Sequence, residues 1–481
     1  MPKIAIIGAG SLVFTKTLSM DILATKALED SELCLMDLDQ AKLDRIQAFV
    51  QRVIDENDKP GKVTATLDRA EALAGADYVV IVIQVGGLDA FSFDYEIPLK
   101  YGVDQCIGDS LSPGGIFRGL RTVPVLADIA RDMAKLCPNA VMLNYANPMA
   151  ACCLGLGQVT DMPFIGLCHG VQTTLDLIGG YTDTPKDQID FLCAGINHMG
   201  WFLSLKDKRD GHDLYPLFRQ RCEQPGYYVN EKVRCEVMRH FGYFMTESTG
   251  HLSEYIPWFR SSQRALELYC DEPAFGGESG AYYKYAHMLA EKYKDVDWLS
   301  LENPKIEKRS VEYCSYILEA IETGKPFHLN GNVRNDGYIT NLPDGCCVEV
   351  PVIVDGDGLH PQKVGDLPPQ LAALNMSNVQ VQILTARSAL DGNPELAMQA
   401  CAMDPLTSAC CTLKEVRDMA GEMLAAESKW LPQFEGKPLT PRPTIEIPDD
   451  VQRAEVPLDP ALAIANRFQI LAEQKTGQEG E

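Results

Sequence analysis

The stretch "KIAIIGAGS", residues 3–11, decides the fold. Its apolar, β-forming residues predict a strand, and the pattern that follows predicts a helix. Glycines at such a turn, here Gly8 and Gly10, let a pyrophosphate approach the backbone and meet the helix N-terminus. The third glycine of the usual motif is replaced by Val13, and an ordinary strand-to-helix turn is the alternative. We interpret Gly8, Gly10 and Ser11 as a dinucleotide-binding loop.

A second strand, "ELCLMD", ends on Asp37. A carboxylate at this strand end can bind the ribose hydroxyls of a dinucleotide, although its distance from the glycines exceeds the usual ~20 residues. An acid at the ribose favours NAD over NADP. We therefore expect NAD as the cofactor and Asp37 as a cofactor-binding residue.

Strands and helices alternate as far as residue 190, through "VTATL", "DYVVIVIQV", "AVMLNYANP" and "FIGLCH". This alternation predicts an α/β fold with an N-terminal Rossmann-type, doubly wound parallel sheet over residues 1–190. The pattern then changes and predicts a C-terminal mixed α+β domain over residues 191–432, as in the lactate/malate dehydrogenase architecture. Residues 433–481 are predicted to be an extended arm with one helix, "PALAIANRFQILAEQ".

The chain is acidic, with 67 acids, 43 bases and a net charge of −24 over 481 residues. Such a charge repels phosphate backbones and anionic membranes, so we expect neither nucleic acid nor membrane as a partner. No apolar run reaches the ~18 residues of a membrane span, and no signal peptide is visible. The 16 cysteines are scattered in apolar surroundings, which indicates reduced thiols and a cytoplasmic location.

Polar residues follow three predicted strands. "GLCHGVQ" contains Cys168 and His169, "AGINHMGW" contains His198, and "LNYANPMA" contains Asn147. The carboxyl ends of strands in an open sheet gather at the cleft where a cofactor lies. A thiolate and an imidazole suit Zn, Mn, Fe or Co. Cys168 and His198 are therefore candidate metal ligands, and a buried cysteine with a hydrogen-bonded histidine is the alternative.

Two loop segments add candidate residues. "DQCIGDSLSPGGIFRGLRTVP" contains Asp109 before a helix that carries Arg118 and Arg121, and "TESTGHLSEYIPWF" contains Tyr255 and Trp258. A helix cap with a solvated face is the usual explanation of the first segment, and aromatic packing is that of the second.

Together these motifs resemble family 4 of the glycoside hydrolases, the NAD- and metal-dependent glycosidases, and within it the bacterial α-galactosidases. The resemblance runs from residue 3 to about residue 432 and includes "IGAGS", "DSLSPGGIFRGLRT", "LNYANPMA", "GLCHGVQ", "CAGINHMGW", "SEYIPWF" and "GNVRNDGYITNLPDGCCVEVP". It implies NAD and Mn²⁺, or another divalent metal, as cofactors. It also implies a small-molecule α-glycoside as the substrate.

The resemblance implies a mechanism that differs from two-carboxylate hydrolysis. NAD⁺ takes hydride from C3 of the sugar, a base takes the C2 proton, and the C1 oxygen leaves by elimination with the help of an acid. Water then adds, and NADH returns the hydride. The family's residues match Tyr255 as the base, Asp109 as the acid, Cys168 and His198 as metal ligands, Gly8, Gly10, Ser11 and Asp37 at the cofactor, and Asn147 and His169 at the sugar.

We expect an unphosphorylated α-galactoside such as melibiose. Phospho-sugar members of the family carry Asp or Asn where this chain has His169, which disfavours a 6-phosphate. Gly170 departs from the serine that we associate with the α-galactosidases and matches α-glucuronidase-type members, because a missing side chain could open space for a carboxylate. An α-glucuronide, α-galacturonide or α-glucoside is therefore the alternative.

Two other functions are compatible with a nucleotide-binding half: an NAD-dependent hydroxy-acid dehydrogenase that uses His198 without a metal, and a non-catalytic NAD sensor. The tail segment "PLTPRPTIEIPDD" is too polar to build a core. The helix predicted after it has an apolar face. We therefore expect a homodimer or homotetramer in which the tail takes part.

Overall fold

The computed structural model describes residues 1–452 except 272, 273 and 295, together with 454, 457, 459–461, 464 and 466–470. Residues 1–439 form one compact unit and residues 440–481 a second. The helix predicted for residues 460–474 lies partly outside the described residues. Among the helices described, none has both the length and the apolar character of a membrane span. The boundaries at residues 190 and 432 stay predictions.

The first part of the chain alternates strands with helices. Its elements are β1 (Lys3–Ile7), α1 (Leu12–Ala24), β2 (Glu32–Met36), α2 (Gln40–Glu56), β3 (Lys62–Thr66), α3 (Arg69–Leu73), β4 (Tyr78–Ile81), α4 (Gly87–Lys100), α5 (Ser112–Leu136), β5 (Val141–Asn144), α6 (Met149–Val159), β6 (Phe164–Gly166) and α7 (Gly170–Thr182). These six strands are parallel, in the order β3-β2-β1-β4-β5-β6. The predicted doubly wound sheet is confirmed.

The rest of the compact unit mixes antiparallel strands with helices. Its elements are β7 (Ile189–Ile196), β8 (Met199–Asp207), α8 (Tyr215–Cys222), α9 (Pro225–Tyr228), α10 (Lys232–Phe241), α11 (Thr249–Tyr255), α12 (Gln263–Tyr269), α13 (Ala281–Tyr293), α14 (Trp298–Leu301), α15 (Cys314–Thr323), β9 (Phe327–Arg334), β10 (Cys347–Asp355), β11 (Gly358–Pro361), α16 (Pro369–Asp391), α17 (Pro394–Met403), α18 (Pro405–Cys410) and α19 (Leu413–Ala426). β10 and β11 form the hairpin predicted around "DGDG".

All eleven strands of the described residues belong to a single sheet. Beyond β6 the order continues β9-β10-β7-β8, and β6 meets β9 in antiparallel fashion at Gly166 and Asn332. β4 and residues 4–7 of β1 are buried and apolar, because a central parallel strand is covered on both faces. The two halves therefore share one continuous sheet.

A buried ion-pair cluster anchors α5. The guanidinium of Arg121 is fully buried, and its Nη1 donates to Asp94 at 2.8 Å and to Glu427 at 2.7 Å. Its Nε donates to the carbonyl of Val85 at 2.9 Å. Burial makes such a charge costly unless it is paired and hydrogen-bonded, and here it is both. The cluster thus ties α4 and the residue after α19 to the helix that follows the Asp109 loop.

Candidate active site

A cavity of 460 Å³ lies beyond the carboxyl ends of β5 and β6, beside the turn that follows β7. Five residues predicted from the sequence line it: Asp109, Asn147, Cys168, His169 and His198. Tyr255 lies directly behind His198 and is 1% exposed. The structure therefore brings together, in one place, the residues predicted for catalysis, metal binding and sugar binding.

Sheet register explains why Cys168 and His198 converge. One row of paired residues crosses four strands of the sheet: Gly166, Asn332, Glu349 and Gly195. Cys168 lies two residues beyond one end of this row, and His198 lies three residues beyond the other. Both residues thus follow within three positions of one row of the sheet, although β6 and β7 run in opposite directions.

Glu247 lies among the candidate metal ligands, although no sequence motif indicated it. The Cys168 thiol donates to its Oε1 at 3.3 Å, and Nε2 of His198 lies 3.7 Å from the same oxygen. Nδ1 of His251 lies 3.6 Å from Oε2. Burial opposes the charge, but the two histidines, with lesser contributions from the thiol and His169, lower the pKa of Glu247 to about 2. Glu247 is therefore a carboxylate at neutral pH.

The groups fit a divalent metal. One ligand atom from each of Cys168, His198 and Glu247 lies within 4.8 Å of the others. Sulfur, imidazole nitrogen and carboxylate oxygen together suit Mn, Zn, Fe or Co. One ligand atom from each of Asp109, His198 and His251 also lies within 4.8 Å of the others. His198 is thus common to both groups.

His198 also contacts Tyr255. Its Nδ1 lies 3.0 Å from the tyrosine hydroxyl, and the two rings are nearly parallel, with an interplanar angle of 6°. Burial, followed by the negative charges of Asp109 and Glu254, raises the pKa of Tyr255 well above its usual value. Tyr255 therefore needs a positive or hydrogen-bonding neighbour before it can act as a base.

Asp109 is held by two side chains. The amide of Asn147 donates to its Oδ2 at 3.0 Å, and the hydroxyl of Ser110 donates to its Oδ1 at 2.8 Å. Burial raises its pKa, but Arg118 and the histidines outweigh burial and hold it below the usual range. Arg118 is 5% exposed, and its Nε and Nη1 have no protein partner among the described residues. Asp109 is thus a carboxylate in this structure.

Glu254 holds the backbone of the Asp109 loop. Its carboxylate accepts N–H groups from Cys106, Ile107 and Gly108 at 2.8, 3.1 and 3.0 Å. Burial raises its pKa to about 7. Because Glu254 precedes Tyr255 in α11, this contact couples the candidate base to the loop of the candidate acid.

The glycine loop after β1 has the geometry of a nucleotide site. Gly8 has a φ of +91°, and a Cβ there would lie 2.8 Å from Ile83. A Cβ on Gly10 would lie 2.7 Å from the Asp37 carboxylate, which accepts the Gly10 N–H at the same distance. Ser11 is the N-cap of α1. Only glycine fits these two positions, so the backbone stays open to a phosphate group.

A second cavity, of 560 Å³, lies beyond the carboxyl ends of β2 and β3. Its lining residues are Met36, Leu38, Leu67, Asp68, Arg69, Ala70 and Asp132. An apolar wall next to the Asp37 strand suits the adenine half of a dinucleotide. The two cavities thus lie on the same edge of the sheet.

Three further residues belong to segments that reach the site: His169, Trp258 and His251. His169 precedes α7 with its ring 51% exposed and 3.7 Å from Glu312, so it lies at the mouth of the cavity. Trp258 is 49% exposed and packs on Phe241, as the packing interpretation predicted. His251 was missed, although its position four residues before Tyr255 in α11 places both on one helix face.

Comparisons with known proteins agree with this geometry. The model described as "Family 4 glycosyl hydrolase" matches residues 3–181, and that described as "Family 4 glycosyl hydrolase C-terminal domain" matches residues 193–407. The chain belongs to family 4 of the glycosyl hydrolases. The resemblance inferred from the motifs, and with it the predicted class of enzyme, is confirmed.

The chain is similar to individual α-galactosidases in sequence and to a solved glucosidase in fold. The chain is 40% identical to an α-galactosidase of Rhizobium meliloti (strain 1021), with 90% of this chain and 89% of that protein covered. It is 39% identical to an α-galactosidase of Bacillus subtilis (strain 168), with 90% and 100% covered. A 6-phospho-α-glucosidase from gut microorganisms, solved with NAD and Mn²⁺, shares the fold with a TM-score of 0.74 at 19% identity, covering 89% of this chain and 98% of that one.

Proposed function

We propose that this chain hydrolyses α-galactosides, such as melibiose, with NAD and a divalent metal, Mn²⁺, as cofactors. The observation that carries the proposal is the contact of His198 with Glu247 on one side and Tyr255 on the other, beside the thiol of Cys168. This places a metal-binding group against a candidate base, at the sheet edge that carries the glycine loop. The similarity to two α-galactosidases, at 40% and 39% identity, supports the same activity.

The protein's residues have distinct tasks around the two cofactors. When bound, NAD accepts hydride from C3 of the sugar, and the metal acts as a Lewis acid on the sugar oxygens. Gly8, Gly10 and Ser11 receive the pyrophosphate, and Asp37 receives the ribose. Cys168 and His198 hold the metal.

Tyr255 removes the C2 proton. Nδ1 of His198 lies 3.0 Å from the Tyr255 oxygen, and Nε2 faces Glu247 and Cys168. With the metal on Nε2, Nδ1 would carry the ring proton and donate to the Tyr255 oxygen. A hydrogen bond to the phenolate favours the charged form and offsets the burial that raises the pKa of Tyr255. One ring nitrogen of His198 therefore faces the metal site, and the other contacts the candidate base.

Asp109 assists the leaving group. Its lowered pKa leaves it ionised before the substrate binds, so the acid role requires that it gain a proton in the complex. Bound glycoside excludes water from the cavity and increases the desolvation that already raises the pKa of Asp109. Asn147 orients the carboxylate through its 3.0 Å hydrogen bond.

Charge in the cavity favours a neutral sugar. The space next to Gly170, in which the sequence suggested room for a uronate, is filled by the carboxylate of Glu247, 1.8 Å from the position of a Cβ. Arg234 lines the cavity, but its guanidinium is paired with Glu231 at 2.7 Å. Asp109 is a carboxylate in the cavity wall, so a carboxylate or phosphate on the sugar beside it would be repelled. We therefore prefer a galactoside to a uronide or a 6-phosphate.

The test is a panel of nitrophenyl α-glycosides assayed with NAD⁺ and Mn²⁺. We expect kcat/KM for the α-galactoside to exceed that for α-glucuronide, α-galacturonide and α-glucoside by at least about tenfold. Turnover in D₂O should place deuterium at C2 of the released sugar. A uronide preference would overturn the choice of sugar, a product without deuterium would overturn the elimination mechanism, and net NADH formation on hydroxy acids would favour a dehydrogenase.

The assembly and location expected from the sequence belong to the same proposal. All 16 cysteines are free thiols, which supports a reducing, cytoplasmic environment. The homodimer or homotetramer rests on the sequence alone, on the polar tail segment and the apolar face of the helix predicted after it. Light scattering at micromolar concentration tests the assembly: a monomer would contradict it. An unchanged mass after truncation at residue 433 would contradict only the role of the tail.

A further inference from the structure

Gly170 and Glu247 fit together sterically. A Cβ on Gly170 would lie 1.8 Å from Oε1 and 2.8 Å from Cδ of Glu247, far inside van der Waals contact. The backbone of Gly170 lies outside the left-handed region, at the first residue of α7, so its conformation does not demand glycine. What demands glycine is the space that the Glu247 carboxylate occupies.

Glu247 is held in this space against its own backbone preference. Its φ is +72°, a left-handed conformation that a residue with a Cβ rarely adopts. Such backbone strain persists where the surrounding structure overdetermines the residue, and it clusters at functional sites. His198, on the opposite side of the site, has a φ of +61°. Two strained residues thus point their side chains at each other.

The separations around Glu247 match those of atoms that share one cation. Metal–ligand bonds of about 2.0–2.3 Å place neighbouring ligand atoms roughly 2.8–3.8 Å apart. Here Sγ of Cys168 is 3.3 Å and Nε2 of His198 is 3.7 Å from Oε1 of Glu247. The thiol proton now lies between Cys168 and Glu247, where a cation would replace it.

We propose that Glu247 is a third protein ligand of the divalent metal, beside Cys168 and His198, and that Gly170 is the residue that admits it. The inference rests on the metal-dependent glycosidase proposed above. A Cβ at position 170 would push the carboxylate of Glu247 away from Cys168 and His198. The glycine of this chain therefore belongs to the metal site, and it leaves no recess for a substrate carboxylate.

The test measures Mn²⁺ binding to the full chain by electron paramagnetic resonance, with NAD⁺ binding as an independent check of folding. Glu247→Gln, Glu247→Ala and Gly170→Ala should each weaken Mn²⁺ binding, by about tenfold or more, with Cys168→Ser as the reference for a lost ligand. Gly180→Ala is the matched control, because Gly180 lies in the same helix with nothing within 4 Å of its Cβ position. This control should bind Mn²⁺ like the wild type.

The double variant Gly170→Ala/Glu247→Ala decides whether the two residues act as one unit. If they do, its Mn²⁺ affinity should match that of Glu247→Ala, and it should melt at a higher temperature than Gly170→Ala, because the clash is gone. Co²⁺ substitution gives a second readout: Glu247→Gln should change the ligand-field bands while the thiolate charge-transfer band of Cys168 remains.

The outcomes separate this inference from the proposed function. Wild-type protein that binds no Mn²⁺ would remove the metal-dependent mechanism itself. Wild-type binding combined with unaltered affinity in Glu247→Gln, or additive effects in the double variant, would overturn only the role of Glu247 and Gly170.

Discussion

Nδ1 of His198 lies 3.0 Å from the hydroxyl of Tyr255, and the two rings are stacked with an interplanar angle of 6°. The other ring nitrogen faces Glu247 at 3.7 Å. One imidazole therefore joins the candidate metal ligands to the candidate base. Any cation that engages Nε2 leaves Nδ1 as the donor, so metal binding and phenolate formation favour the same tautomer.

Tyr255→Phe should abolish turnover without abolishing binding. It removes the oxygen that takes the C2 proton, and a positioned base typically contributes about 10²–10⁴-fold to the rate. We expect kcat to fall by that factor while the Kd values for NAD⁺ and Mn²⁺ stay within about threefold. Tyr181→Phe is the control, because its buried hydroxyl donates to a backbone carbonyl in another cluster. Equal losses in both variants would indicate a structural role for Tyr255.

Asp37→Ala should weaken NAD⁺ binding. The Asp37 carboxylate accepts the N–H groups of Gly10 at 2.7 Å and Asp39 at 2.9 Å, so it both orders the glycine loop and presents a charge to the ribose. Hydrogen bonds to a charged group contribute roughly 1.5–3 kcal/mol, which corresponds to about tenfold or more in Kd. Titration calorimetry with NAD⁺ and NADP⁺ measures this, and discrimination between the two should shrink. Asp55→Ala, on the exposed face of α2, should leave both affinities unchanged.

Arg121→Ala should destabilise the fold severely. It leaves the fully buried carboxylates of Asp94 and Glu427 without their cation. Breaking a buried pair typically costs about 3–5 kcal/mol. Arg131→Ala, which removes an exposed pair with Asp128, should cost no more than about 1 kcal/mol. Urea unfolding compares them, and similar midpoints for the two variants would contradict the importance of the buried cluster.

Glu254 should make stability depend on pH between about 4.5 and about 7. Burial raises its pKa from 4.5 to about 7 in the folded protein, so the folded state binds the proton more tightly than the unfolded state. The stabilising effect of protonation is complete below about pH 4.5 and is lost as the pH rises through 7.

Glu254→Gln removes this titrating carboxyl group. Relative to the wild type, the variant should gain roughly 3 kcal/mol in unfolding free energy from pH 4.5 to above pH 7. Denaturant unfolding of cofactor-free protein, repeated across this range, measures the difference. Glu415→Gln is a control of opposite sign, because hydrogen bonds from Thr412 lower the pKa of that exposed glutamate. A constant difference between wild type and Glu254→Gln would contradict the assignment.

The nucleotide-binding half could be predicted because its signals are local. β1, the glycines after it and Asp37 after β2 follow one another within the chain. The apolar runs of these two strands indicate a sheet covered on both faces. Cys168 and Asn147 could be placed near each other because the carboxyl ends of parallel strands meet at one edge of the sheet. For His198 the same reasoning does not apply, because β7 runs opposite to β6 in the sheet.

The joining of the two halves could not be predicted, because it depends on pairings between distant segments. β9 and β10 lie between β6 and β7 in the sheet, although both follow them in the chain. Glu247 gave no signal, since it lies in a loop with no periodicity and its role depends on a contact with Gly170. From the sequence, Gly170 suggested free space for a substrate carboxylate. In the structure, the carboxylate of Glu247 fills that space.

The pairing of β6 with β9 has a consequence for protein synthesis. The side chain of Asn332 donates to the carbonyl of Gly166 across 166 residues of chain. Until that later segment leaves the ribosome, the edge of β6 has no partner and is open to pairing with other nascent chains. At about 5–20 residues per second, translation leaves this edge exposed for roughly 10–30 s. Ample chaperone capacity during production should therefore raise the yield of folded protein.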